Sequence, residues 1–121
     1  MNVQLIDGSG YIDQKQGFTY DKGFGRIRNL NFTIMSGEMA NPEEFRGQAT
    51  VSIAFYNDKA AMIGGKQDLY TISMVFNNLE LLQILDIDET LGYSISEKKI
   101  YDYFLTLPEY LSIFEYVPVA E

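Results

Sequence analysis

Apolar and polar residues alternate with period two through the first two-thirds of the chain. Leu30, Phe32 and Ile34 alternate with Asn29, Asn31 and Thr33; Val51, Ile53 and Phe55 with Thr50, Ser52 and Ala54; Tyr70, Ile72, Met74 and Phe76 with Thr71 and Ser73. Successive side chains of an extended strand point to opposite faces, so each run predicts a strand with one buried face. Turn residues separate the runs: Asp7-Gly8-Ser9-Gly10, then Ser36-Gly37 with Asn41-Pro42, then Gly64-Gly65. Weaker strand patterns lie at 3–6, around Tyr11-Ile12 and across 17–28, which makes about four to six strands. Consecutive antiparallel pairing, a β-meander, is the economical topology.

After Phe76 the period changes. Asn77-Asn78 can cap a short helix in which Leu79, Leu82 and Leu85 recur every three residues, and the same apolar stretch also fits a buried strand, so 79–86 stays open. Ser96 is suited to cap a helix over 97–107, and Pro108 to start a second one through Tyr116, ended by Pro118. The expected fold is α+β: one domain over 1–121, β-rich over 1–76, acidic and mainly helical over 77–121, with the short C-terminal helices covering one face of the sheet.

The chain has 121 residues and a mass of 13.8 kDa, 46% of it hydrophobic, enough to bury one core without a disulfide or metal. Cys and His are both absent, which removes thiol nucleophiles, imidazole bases and nearly all zinc and copper sites. Neither metal nor cofactor is expected. The start lacks a basic stretch followed by an apolar run, and no later segment has the length of a membrane span, so a soluble cytoplasmic protein that does not contact membranes is expected. Charge is unevenly placed. Residues 1–76 hold eight acids and seven bases, net −1, whereas 77–121 hold nine acids and two bases, net −7. A field of that sign repels phosphates and favours basic partners.

Two short stretches suggest chemistry. Gln83-Ile84-Leu85-Asp86-Ile87-Asp88-Glu89-Thr90-Leu91 resembles the opening motif of the haloacid-dehalogenase-like phosphatases. The resemblance implies that Asp86 attacks phosphorus, that Asp88 acts as acid or base, and that both help to hold magnesium. That family carries the motif on the first strand of a large doubly wound sheet. Only thirty residues follow Leu91 here, too few for two βαβ units of ~30 residues each, and no later acidic pair is present. The stretch is therefore read as an acidic turn and not as a nucleophile.

The second stretch, Asp21-Lys22-Gly23-Phe24-Gly25-Arg26-Ile27-Arg28, resembles the glycine-aromatic strand of cold-shock domains and RNA-recognition motifs. There the glycines let a base approach the strand and the aromatics stack on it. The resemblance assigns Lys22, Phe24, Arg26 and Arg28 to nucleic acid, with Arg26 standing where a second stacking aromatic belongs.

Nine tyrosines without a tryptophan complete the picture, five of them among the C-terminal acids. Tyr interleaved with carboxylates suits an arginine-rich surface, through hydrogen bonds and cation–π contacts. The leading expectation is thus a non-enzymatic protein-binding module, a small acidic inhibitor of the phage-encoded type that mimics nucleic acid and engages a basic protein such as a nucleic-acid-handling enzyme. Its contact residues are expected to be Asp86, Asp88, Glu89, Tyr93, Asp102, Tyr103, Glu109 and Tyr110. Direct binding of single-stranded nucleic acid by an OB-like β face through Lys22, Phe24, Arg26 and Arg28 is the alternative. A homo-oligomeric structural subunit paired through strand edges comes third.

Overall fold

A computed structural model describes residues 2–13, 17–36, 46–88 and 92–117. The three patterned runs form β4 (Phe24–Ser36), β5 (Arg46–Tyr56) and β6 (Tyr70–Asn77), paired consecutively and antiparallel as the meander requires. The Ser36-Gly37 and Asn41-Pro42 turn signals fall outside the described residues, apart from the backbone of Ser36. The weaker patterns form β1 (Val3–Leu5), β2 (Tyr11–Asp13) and β3 (Phe18–Tyr20), the last two a hairpin of their own. A short helix α1 (Lys59–Ile63) follows β5, capped by the Asp58 carboxylate, which accepts from the Ala61 amide at 2.7 Å.

The C-terminal third departs from expectation. The open stretch is a 3₁₀ helix over Asn78–Ile84 that runs straight into β7 (Leu85–Asp88), which forms a hairpin with β8 (Gly92–Ile95). Helix α2 (Glu97–Thr106) forms where Ser96 predicts it, and the Ser96 hydroxyl accepts from the Lys99 amide. The second helix does not form. Residues 107–113 make successive turns and β9 (Phe114–Tyr116) pairs antiparallel with β1, setting Val3 against Tyr116 and Leu5 against Phe114. A pairing between the two ends of the chain has no local signature, and the free edge of β1 outcompetes the helix that Pro108 favours. The principal sheet runs β6-β5-β4-β1-β9, and the third that was expected to be mainly helical supplies three strands, among them one of its edges.

A bulge in β4 decides which residues meet the core. Ile27 pairs with Ile53 and Asn29 with Ser52, so Arg28 is an extra residue in the ladder. One inserted residue restores Leu30 to the face of Ile27, and both pack on the core. The Ile27 amide, next to the bulge, donates at 2.8 Å to the hydroxyl of Tyr101, a fully buried residue of α2. Ile100 and Phe104 of α2 join the same core, whose centre is Phe55 with the rings of Tyr70 at 4.8 Å, Phe114 at 5.0 Å and Phe104 at 6.2 Å. The outward face of β5 and β6 is mainly polar, with Arg46 at the start of β5 and the half-exposed Val75 on β6, and is linked across the strands by Ser52 to Ser73 at 3.0 Å and Gln48 to Asn77 at 3.2 Å. Among the described residues no helix is long and apolar enough to cross a membrane.

Candidate functional site

The two suggestive stretches acquire definite surroundings. Asp86 sits on β7 with its carboxylate 2.9 Å from the Lys99 ammonium, which also donates to the Leu85 carbonyl. Asp102 accepts from Lys98 one helical turn back, at 2.7 Å, and from the Tyr116 hydroxyl. Those contacts, Lys98 first, hold the Asp102 carboxyl below its ordinary value. The only two bases of the acidic third thus each neutralise one expected contact residue. Tyr103 lays its ring edge-on to Phe76 at 4.9 Å, beside a small hollow bounded by Gln83, Lys99, Asp102 and Thr106. The side chains of Asp88 and Tyr93, and the whole of Glu89, fall outside the described residues. Among the described residues no cluster of three or more carboxylates is arranged to hold a metal ion.

The glycine-aromatic element is turned toward the protein itself. A Cβ on Gly23 would lie 2.1 Å from the Tyr70 hydroxyl oxygen, and one on Gly25 would lie 2.5 Å from Cε1 of Phe55. The close approach that these glycines permit is made by the chain's own rings, and the Tyr70 hydroxyl closes it by donating to the Lys22 carbonyl. Phe24 pairs directly with Tyr56 on the opposite face and is only 8% exposed, so its ring has no free face for a base. Lys22 and Arg26 are exposed, and Arg28 is tied to Asp68 at 2.8 Å.

Glu109 and Tyr110, the remaining expected contacts, belong to a different place. They border a cleft of about 600 Å³, together with Tyr11, Ile12 and Asp13 of the first hairpin, Thr71, Ile72 and Ser73 of β6, and Ile113. Its volume falls within the ~300–1,000 Å³ of ordinary ligand sites. Tyr110 is fixed by stacking on Phe104 at 4.8 Å, and Tyr11 by stacking on Tyr70 at 4.7 Å. Burial raises the ionisation of both phenols above the ordinary tyrosine value; Tyr110 adds to the effect at Tyr11, and Glu109 to that at Tyr110. Both rings are neutral at physiological pH. Among the described residues bordering the cleft, Asp13 and Glu109 are the only charged ones. Ile12 and Leu111, each 62% exposed, add apolar surface on β2 and on the 107–113 turns.

The sequence pointed to Glu109 and Tyr110 through the acidic tyrosine-rich third. It did not point to Asp13 or Tyr11, nearly a hundred residues earlier, and no local signal joins the two. Set against protein-family models, curated proteins and solved structures, the chain gives no significant match.

Proposed function

We propose that the chain is a non-enzymatic protein-binding module that receives a basic segment of a partner, in the manner of a small acidic inhibitor occupying a surface that would otherwise hold nucleic acid. The observation that carries this reading is the cleft: among the described residues bordering it the charged groups are both carboxylates, and two fixed, neutral tyrosine rings stand beside them. Carboxylates and aromatic faces together suit a guanidinium or ammonium and repel phosphate. We take Tyr11, Asp13, Glu109 and Tyr110 as the binding surface because they border one cleft with two rings and two carboxylates, whereas Asp86 on β7 and Asp102 on α2 lie outside it. The single-strand-binding alternative is disfavoured because Phe55 and Tyr70 occupy the space beside Gly23 and Gly25.

Capture from lysate, with and without nuclease, tests the proposal when run beside the Asp13→Asn/Glu109→Gln double variant. A basic protein should be retained after nuclease treatment and lost with the variant, its association slowing about tenfold from low to high salt. Capture that nuclease abolishes, or that the variant leaves intact, would overturn the proposal.

A further inference from the structure

The cleft runs along strand edges. Side chains of a strand alternate between faces, so consecutive residues line one cleft only where it follows the edge. Thr71, Ile72 and Ser73 of β6 do so, and so do Gly10, Tyr11, Ile12 and Asp13 at β2. Among the described residues β6 pairs only with β5, and β2 only with β3. Among the described residues β6 therefore leaves one row of backbone N–H and C=O groups outside any ladder, the usual template for an added strand. The Tyr11–Tyr70 stack holds the hairpin beside this end of β6 and leaves the cleft open at 71–73.

We propose that the cleft takes an extended, basic segment of the partner as an additional strand on the free edge of β6, with an Arg or Lys side chain directed to Asp13 and Glu109. This rests on the basic-partner reading above and adds the mode of recognition: main-chain hydrogen bonds to β6 supply affinity, and the carboxylates with the Tyr11 and Tyr110 rings supply selectivity. Charge selects the occupant. A chain of net charge −8 disfavours a second copy of itself at a carboxylate-lined edge, whereas a cationic strand is drawn in. At ~3.4 Å per residue, the stretch of β6 bordering the cleft engages about three residues of the incoming segment, so the contact is short and depends on the placed charge.

The test selects random octapeptides against the full-length protein and then alters the backbone of the enriched peptides. Expected are sequences in which Arg or Lys alternates with Val, Ile or Thr and from which Pro is missing. N-methylation of alternate amides in the register that faces β6 should weaken binding tenfold or more, and methylation in the opposite register should not. Amide exchange at 71–73 should slow on binding, and the Asp13→Asn/Glu109→Gln variant should lose about tenfold in affinity. Should both methylated forms bind like the parent, strand addition is wrong while the basic-partner reading stands. Selected peptides without basic enrichment, or the absence of any binder, overturn both. Protection of 71–73 by self-association, seen as a dimer in sedimentation, replaces the partner with a second copy and sinks the proposal.

Discussion

Substituting Gly25 by Ala tests whether the glycine-aromatic element serves the core or a ligand. The new Cβ would stand 2.5, 2.8 and 3.0 Å from Cε1, Cδ1 and Cζ of Phe55. That ring is fully buried and hemmed in by Tyr70, Phe104 and Phe114, so it has nowhere to turn. Overpacking of this kind costs about 1–3 kcal/mol. Replacing glycine also restricts the unfolded chain, which returns about 0.4–1 kcal/mol. The net expectation is a loss of about 1–2 kcal/mol. Phe55→Val removes all three clashing atoms, so in that background Gly25→Ala should become neutral or slightly stabilising, a coupling equal to the overpacking term of about 1–3 kcal/mol. Urea unfolding of the wild type, both single variants and the double variant, followed by circular dichroism, measures all four corners. An identical cost for Gly25→Ala in both backgrounds, to within about 0.5 kcal/mol, would refute the reasoning and return Gly25 to a role outside the core.

Tyr101→Phe leaves the part-buried Ile27 amide without its acceptor and should cost about 1 kcal/mol, with faster exchange at that amide as the local signature. Ser96→Ala removes the cap of α2 and should cost about 1 kcal/mol in urea unfolding. Burial raises the ionisation of Tyr70 and Tyr116 above the ordinary value of 10.0, with the Asp102 carboxylate adding to the effect at Tyr116. For an acid held neutral in the fold, the stabilisation is full below the unfolded-state value and is lost as pH rises from there through the folded one. Stability should therefore be flat from neutral pH to about 10 and fall beyond it, with phenolate absorbance from these residues appearing together with unfolding. Magnesium-dependent hydrolysis of an aryl phosphate should be undetectable, and Asp86→Asn should change stability by no more than about 1 kcal/mol, as an exposed ion pair does.

Local pattern determined the meander. Alternation in β4, β5 and β6 is dictated by which side chains water rejects, and that preference acts residue by residue, so it can be read without knowing what lies opposite. Ser96 and α2 were legible for the same reason, because a cap satisfies backbone groups only three residues away. The bulge at Arg28 was not legible, since it depends on the register against β5, and the acceptor for the neighbouring Ile27 amide lies on Tyr101 far along the chain. Nor was β9, whose helical propensity yields to the unpaired edge of β1 more than a hundred residues away. The site divides in the same manner. Composition identified an acidic, tyrosine-rich third, but pairing with Lys98 and Lys99 spends the charge of Asp102 and Asp86, while folding brings Asp13 and Tyr11 to Glu109 and Tyr110. Sequence alone determined which side chains must be buried and which sign of charge the surface bears; only the tertiary structure decided which carboxylates and rings border one cleft, because ion pairs and strand edges are relations between distant parts of the chain.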